Sequence, residues 1–261
     1  MIKLAANLSW LYQDIPFLDR LDAAAAHGFK AVEFMSPYEF PAEEIASRLK
    51  RHGLTQALFN LPAGDWANGE RGLAALPGRE AAFEQSAETA LSYARALGCR
   101  TLHVMAGLIP AGGDEAAMHR TYVANVRKAA KRAAADGVTL VLEPINRRDI
   151  PGYFMNTTTQ AAKVIEEVGE KNVQIQFDLY HCQVTEGDLL KRGEKLLPLI
   201  GHIQIAGNPD RNEPDIGEAN HVYVLQGLDR AGYAGYVGLE YRPKTTTAAG
   251  LGWARPYGIH A

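Results

Sequence analysis

The feature that most constrains the fold is a regular alternation of short apolar runs with longer segments of helical period. The runs are continuously apolar, which is typical of strands in a parallel sheet covered by helices. About eight such strand–helix units predict an α/β fold of the (β/α)8 TIM-barrel type, with a doubly wound open sheet as the competing topology. The predicted strands are Lys3–Leu8, Ala31–Phe34, Thr55–Phe59, Thr101–Met105, Thr139–Glu143, Val173–Asp178, His202–Ile205 and Val237–Tyr241.

The intervening segments carry helix signals. The segment Ala117–Asp136 predicts the clearest helix, because its apolar residues recur at steps of three and four. Those residues are Met118, Tyr122, Val126, Ala129 and Ala133. A glycine also stands just before several predicted strands, where a helix commonly ends in the left-handed conformation. These glycines are Gly28, Gly53, Gly98 and Gly137.

Length and composition indicate one globular domain spanning residues 1–261, since parallel barrels commonly take ~250 residues. The formal net charge of −3 does not favour nucleic acid or an anionic membrane as a partner. The opening MIKLAANLSW lacks the pattern of a signal peptide, and no segment reaches the ~20 apolar residues of a membrane span. Cys99 and Cys182 have no motif spacing, which favours reduced thiols in a cytoplasmic protein.

One connection is unusually long, running from about residue 60 to residue 80 after the third predicted strand. Loops of this length inside a compact domain are usually functional or disordered. We interpret it as a lid over a small polar ligand, with an ordinary surface loop as the alternative. Trp66 would shield the ligand from water or anchor the loop, and Arg71 would bind a substrate carboxylate or lie on the surface.

Oxygen-bearing side chains end four neighbouring strands, in the segments TLVLEP, IQFDLYH, HIQIAG and YVGLEYRP. These residues are Glu143, Asp178, Gln204 and Glu240. In a barrel the carboxyl ends of the strands meet at the active-site mouth, where clustered carboxylates need a neutralising cation. A shell of oxygen ligands suits a hard divalent ion, so the pattern predicts a Mg²⁺ or Mn²⁺ site. Taken singly, each residue could instead cap a helix or pair at the rim.

At this point the chain resembles the hydroxypyruvate isomerase family, including its 2-oxo-tetronate isomerase branch, among the xylose-isomerase-like TIM barrels. The resemblance covers essentially the whole sequence. The segments that carry it are AANLSWLY, GFKAVEFMSPYEFP, FNLPAGDWANGERGLAALPGRE, LEPINRRDIPGYF, FDLYHCQVTEGDL, GHIQIAGNPDRNEPDIGE and GLEYRPKTTTAAGLGW.

The resemblance implies aldose–ketose isomerisation of a small keto or hydroxy acid, with Glu143 and Glu240 as the catalytic pair. It also implies a divalent metal held by the four strand-end residues, although Gln204 stands where the wider superfamily has histidine. His181 and Arg211 correspond to substrate-contacting residues of the epimerase relatives. A small homo-oligomer is a further implication. His202 is expected to be a core residue or to support the site. His103 is a candidate to line the mouth of the barrel.

Other functions remain open on the sequence alone. The nearest is isomerisation of the four-carbon acid 2-oxo-tetronate in place of hydroxypyruvate. A zinc endonuclease on the same barrel would need histidines where Asn60 and Gln204 stand, and a basic groove. A non-catalytic sugar-acid binding protein would not need two glutamates. No nucleotide cofactor is expected, because neither a GxGxxG segment after the first strand nor a P-loop is present.

Overall fold

A computed structural model describes residues 1–260 as a closed barrel of eight parallel strands, in which β8 pairs with β1. The TIM-barrel prediction is therefore confirmed, and the open-sheet alternative is wrong. The strands are β1 (Lys3–Asn7), β2 (Ala31–Glu33), β3 (Thr55–Asn60), β4 (Thr101–His103), β5 (Thr139–Leu142), β6 (Val173–Asp178), β7 (Ile200–Ile205) and β8 (Tyr236–Leu239).

Helices surround the barrel and return the chain to the start of each next strand. They are α1 (Phe17–Ala26), α2 (Ala42–His52), α3 (Glu80–Leu97), α4 (Glu115–Ala134), α5 (Thr158–Val168), α6 (Leu179–Thr185), α7 (Leu189–Leu196), α8 (His221–Arg230) and α9 (Thr247–Gly250). Two 3-10 helices span Leu197–Leu199 and Leu251–Tyr257. Strands without an alternating pattern and helices with one apolar face produce this two-layer arrangement.

Helix α4 illustrates how local sequence determines an element. It begins two residues before the predicted start, because the Asp114 side chain accepts hydrogen bonds from the backbone nitrogens of Ala116 and Ala117 at 2.9 and 3.1 Å. All five residues of its predicted apolar face are buried. Helices α2 and α3 end at Gly53 and Gly98, whose φ angles of +62° and +65° are left-handed, as predicted.

The long loop after β3 lies between Asn60 and the start of α3 at Glu80. Gly72 forms an isolated bridge with Ala106. A Cβ at Gly72 would lie 2.4 Å from the carbonyl oxygen of Met105, so only glycine permits this approach. The base of the loop is thus held against the chain that leaves β4, while the tip around Trp66 is exposed.

Candidate active site

The candidate site lies in a cavity of about 490 Å³ at the carboxyl ends of the strands. Glu143 is the first residue after β5, Asp178 is the last residue of β6, and Glu240 is the first residue after β8. Glu143 and Glu240 both line the cavity. The barrel register therefore brings residues from distant parts of the sequence into one pocket.

Three side chains form a buried group that could hold a metal ion: Glu143, Asp178 and His181. Their candidate ligand atoms all lie within 4.8 Å of one another. His181 Nε2 is 3.8 Å from Glu143 Oε1 and 3.8 Å from Asp178 Oδ2. Neither carboxylate oxygen has a hydrogen-bond partner within residues 1–260. Two such orphaned oxygens facing one point are what a cation would satisfy.

Asp178 is oriented by the helix that follows it. Its Oδ1 accepts hydrogen bonds from the backbone nitrogens of Tyr180 and His181 at 2.7 and 3.3 Å, which makes it the N-cap of α6. The other oxygen, Oδ2, lies 3.8 Å from His181 Nε2, in the buried group with Glu143. Helix capping and participation in the site, which are alternatives on the sequence alone, coexist in this residue.

His181 is fixed by Asn146. The backbone nitrogen and the Nδ2 amide of Asn146 lie 3.4 and 2.6 Å from His181 Nδ1. Because a backbone N–H can only donate, Nδ1 accepts, and a neutral ring then carries its proton on Nε2. In this tautomer His181 carries an N–H donor on Nε2, so its 3.4 Å contact with the Arg211 Nη2 donor is not a hydrogen bond. Metal ligation through Nε2 requires the other tautomer.

Glu240 makes hydrogen bonds through both carboxylate oxygens. Arg211 Nη2 donates to Oε1 at 2.5 Å, while Gln204 Nε2 and Asn7 Nδ2 donate to Oε2 at 2.6 and 3.3 Å. Gln204 thus presents its nitrogen to Glu240, and its oxygen accepts a hydrogen bond from Gln176 at 2.5 Å. This arrangement differs from the expectation that the Gln204 oxygen faces a metal, because that oxygen already has a donor.

Arg211 is the arginine that contacts Glu240 directly. It adopts a left-handed backbone conformation with φ of +60°, which is uncommon outside glycine. The guanidinium carbon lies 4.6 Å from the Trp10 ring centre and 4.9 Å from that of Tyr180. Nη1 also donates to Asp149 at 3.1 Å. Stacking and two carboxylates hold the side chain beside Glu240, within reach of a substrate in the cavity.

The three carboxyl groups at the strand ends have raised pKa values. Burial, followed by the charges of Glu240 and Asp178, raises the pKa of Glu143 well above its ordinary value. Burial raises the pKa of Glu240 to about 8, although Arg211 opposes the rise. Burial likewise raises the pKa of Asp178. For His181, burial and then Arg211 hold the pKa well below the ordinary value. Such pairs of perturbed carboxyl groups are typical of catalytic sites.

The remaining predicted substrate contacts lie at the tip of the long loop. Trp66 and Arg71 both line the cavity, and the Arg71 guanidinium carbon is 3.9 Å from the Trp66 ring centre. Arg71 Nη1 also donates to the carbonyl oxygens of Trp66 and Glu70 at 3.0 and 2.7 Å. Trp66 remains 43% exposed. The pair therefore forms part of the cavity's rim.

Several residues of the site were missed on the sequence alone. Glu33 ends β2 in KAVEF, the same apolar run followed by glutamate that marks Glu143, so this signal was available. His103, which was not missed but named as a candidate for the barrel mouth, lies 3.6 Å from Glu143 and lines the cavity. The other missed residues have no comparable signal, and they are Asn7, Trp10, Asn146, Arg148, Asp149, Gln176, Tyr180 and Arg242.

These features define a barrel with an acidic, metal-compatible site, and comparison with known proteins gives its family. A sequence model of the xylose isomerase-like TIM barrel family matches residues 21–257. The chain belongs to this family.

Two curated relatives match almost end to end. The chain is 54% identical to a 2-oxo-tetronate isomerase from Cupriavidus necator, over 98% of this chain and 99% of that protein. It is 46% identical to the hydroxypyruvate isomerase of Escherichia coli K12, over 98% of this chain and 100% of that protein. Both relatives are isomerases by name, as the sequence resemblance led us to expect.

Solved structures agree on the fold. A Brucella melitensis protein described as an AP endonuclease of family 2 is 48% identical, with a TM-score of 0.97 over 99% of this chain and 100% of that one. An L-ribulose 3-epimerase superposes with a TM-score of 0.79 at 22% identity, over 98% of this chain and 86% of that one, which supports the fold alone. Across residues 1–260, every helix is too short or too polar to span a membrane.

Proposed function

We propose that the protein is an isomerase that interconverts hydroxypyruvate and tartronate semialdehyde. The observation that carries the proposal is a pair of glutamates on the wall of one cavity, the buried Glu143 and the largely buried Glu240, with pKa values raised chiefly by burial. The chain's identity with two isomerases over nearly its full length supports the same reaction class.

The reaction moves a carbonyl group by one carbon through an enediolate, which requires one proton acceptor and one proton donor. One carboxylate removes the proton from the carbon that bears the hydroxyl group. The other carboxyl group delivers a proton to the neighbouring carbon. The hydroxyl proton passes to the former carbonyl oxygen at the enediolate stage, so that the carbonyl group has moved by one carbon and no proton is gained or lost. Raised pKa values suit Glu143 and Glu240 to this task, because acid–base catalysis is most effective when the pKa lies near the working pH.

A divalent cation, Mg²⁺ or Mn²⁺, fits the donor set. Glu143 and Asp178 would hold it, since they carry buried oxygens without partners in the described chain and form, with His181, the buried group that could hold a metal ion. Glu240, whose oxygens accept hydrogen bonds from Arg211 and Gln204, is the third carboxylate predicted to bind it. When bound, such an ion supplies Lewis-acid stabilisation of the developing oxyanion. Oxygen donors favour a hard ion over a soft one. Gln204 then supports Glu240 through a hydrogen bond.

The other site residues bind and orient the substrate. His181 carries its proton on Nε2 in the tautomer described above, so it donates to a substrate oxygen. Arg211 lies beside Glu240 and attracts the negative charge of the acid. Trp66 and Arg71 at the rim cover the substrate and exclude water. These roles agree with the assignments expected from the sequence.

The second candidate substrate is the four-carbon 2-oxo-tetronate, which undergoes the same shift of a carbonyl group. It is favoured by the 54% identity with a protein of that name, against 46% for the hydroxypyruvate isomerase. The cavity of about 490 Å³ has room for either acid. Both candidates use the same glutamates, so they differ in substrate length and not in mechanism.

Two remaining alternatives have less support. The Brucella melitensis structure is described as an endonuclease. However, this chain has a net charge of −3, and carboxamides occupy positions 60 and 204, where a zinc site would need histidines. A non-catalytic binding protein has no use for two proton-transferring glutamates. Cys99 and Cys182 are buried free thiols, which supports the proposed cytoplasmic location.

The proposal is tested by turnover of each acid in the presence of Mg²⁺ or Mn²⁺, with kcat/KM measured separately for hydroxypyruvate and 2-oxo-tetronate. We expect at least one acid to be isomerised, and the ratio of the two values assigns the substrate. The Glu143→Gln variant serves as the matched control for background enolisation. Failure of the native protein to exceed this control with either acid would contradict the proposal.

A further inference from the structure

Glu33 is a buried carboxylate with no place in the chemistry described so far. Glu33 is the last residue of β2, it is fully buried, and its side chain points into the barrel interior. His202 Nε2 lies 2.6 Å from Oε2, while Gln204 Nε2 and Asn7 Nδ2 donate to Oε1 at 2.7 and 2.8 Å. Burying a carboxylate is costly unless donors surround it, and here three donors do so.

The barrel leaves room for Glu33 at one position on β8. A Cβ at Gly238 would lie 2.1 Å from Glu33 Oε1 and 2.2 Å from Oε2. Bulky branched side chains usually fill a barrel interior, so a glycine facing a glutamate is a specific arrangement. Gly238 is also two residues before Glu240 on the same chain segment. The carboxylate of Glu33 therefore lies against Gly238, in the chain segment that leads to Glu240.

Two of the three donors to Glu33 also contact Glu240. Gln204 Nε2 donates to Glu33 Oε1 at 2.7 Å and to Glu240 Oε2 at 2.6 Å. Asn7 Nδ2 lies 2.8 Å from Glu33 and 3.3 Å from Glu240. A carboxamide has a donor end and an acceptor end, whereas an ionised carboxylate can only accept. Contact with Glu33 thus favours the nitrogen end of both amides. Two further donors favour the same orientation, since the Ser9 backbone nitrogen donates to Asn7 Oδ1 at 3.0 Å and Gln176 donates to Gln204 Oε1.

We propose that Glu33 is a positioning residue for the isomerase, which holds the amide nitrogens of Asn7 and Gln204 toward Glu240 and so fixes the Glu240 carboxylate. The inference rests on the proposed function, because it assigns Glu33 a role in orienting the catalytic pair. It also explains why Gln204 acts as a hydrogen-bond donor at a position predicted from sequence to be a metal ligand.

The test is the Glu33→Gln variant, which keeps the size of the side chain but adds a donor. With a glutamine at position 33, the amides of Asn7 and Gln204 lose an acceptor-only partner that favours their nitrogen ends. We expect kcat to fall about 10- to 100-fold, as for other residues that orient active-site groups, while KM changes less than about threefold. A kcat within about threefold of the native value would overturn the proposal.

A double-mutant cycle shows whether Glu33 acts through Gln204. Gln204→Met alone should lower kcat by a similar factor, because it removes the link to Glu240. If the link is shared, Glu33→Gln combined with Gln204→Met should be no worse than the more impaired single variant. Fully multiplicative losses would contradict action through Gln204.

Two measurements separate positioning from general stability and from the proposed function. The control is Gln56→Leu, which removes another buried strand carboxamide whose Nε2 donates to the Leu58 carbonyl oxygen at 2.8 Å. It should lower the unfolding temperature without lowering kcat, and a loss of kcat equal to that of Glu33→Gln would overturn the proposal.

A crystal structure of Glu33→Gln shows the position of the Glu240 carboxylate independently of turnover. An unmoved carboxylate would refute positioning, even if the native protein isomerises neither acid.

Discussion

Replacing Glu240 with glutamine should make the cation-free protein more stable at mildly alkaline pH than the native protein. The reason is the cost of ionising a buried carboxyl group. Burial raises the pKa of Glu240 from its ordinary 4.5 to about 8. The folded state therefore binds this proton more tightly than the unfolded state does. The stabilisation is fully present below about pH 4.5 and is lost as the pH rises through about 8.

The size of the effect follows from these two values. Between about pH 5.5 and about pH 8, titration of Glu240 alone should lower the free energy of unfolding by about 3 kcal/mol. A glutamine at this position does not titrate, so the variant lacks this loss. His181 titrates in both proteins and largely cancels in the difference. Glu143 does not cancel, because the charge of Glu240 helps to raise its pKa; without that charge the Glu143 pKa is raised less in the variant, which widens the gap between the two proteins in the same direction. The predicted quantity is thus the difference between the free energies of unfolding of the two proteins, and this difference changes with pH.

The assay is urea unfolding of the native protein and Glu240→Gln, both with a chelator, at about pH 5.5 and about pH 8. We expect the variant to gain about 3 kcal/mol relative to the native protein across this range. Adding Mn²⁺ at the higher pH should reduce the gap, because the cation stabilises the ionised carboxylate. A gap that changes by less than about 1 kcal/mol would refute the burial argument for Glu240.

Further expectations concern turnover, metal binding and the rim. Glu143→Gln should lower kcat about 100- to 10,000-fold with an unchanged circular-dichroism spectrum, and native-like turnover would contradict its role. Asp178→Asn should weaken Mn²⁺ binding in equilibrium dialysis at least about tenfold, because it removes an ionised ligand. Arg71→Leu should raise KM about two- to fivefold, because it removes a cation from the rim of the cavity that would bind the substrate carboxylate. The free energy of unfolding should fall by no more than about 1 kcal/mol through the lost stacking on Trp66, and an unchanged KM would contradict a substrate-binding role for Arg71.

The fold could be predicted because the signals that define it are local. Continuous apolar runs, helical periodicity and helix-ending glycines each lie within a short stretch of chain. The predicted ends of the strands were less accurate where pairing with a neighbouring strand determines the end. Strand β7 begins at Ile200, two residues before the predicted start, because Ile200 pairs with Ile175 on β6. Register with a neighbouring strand is a tertiary property that a single run does not contain.

The candidate site could be predicted only in part, for a related reason. The motifs place Glu143, Asp178 and Glu240 at strand ends, and the barrel brings them together. The partners of Gln204 could not be inferred, because its contact with Glu33 joins residues 171 positions apart in the chain. Which end of an amide faces a carboxylate depends on every neighbour in the barrel interior. That information arises only when the barrel closes.

The central claim is that Glu143 and Glu240 move a carbon-bound proton of a small keto acid. The most direct measurement follows the NMR signals of hydroxypyruvate and of 2-oxo-tetronate in D₂O with the Mn²⁺-free, Mg²⁺-supplemented enzyme. The native protein should exchange the proton on the carbon beside the carbonyl group for deuterium as it isomerises one of these acids. Glu143→Gln and Glu240→Gln should each abolish isomerisation. Isomerisation and exchange at the native rate in either variant would contradict the claim.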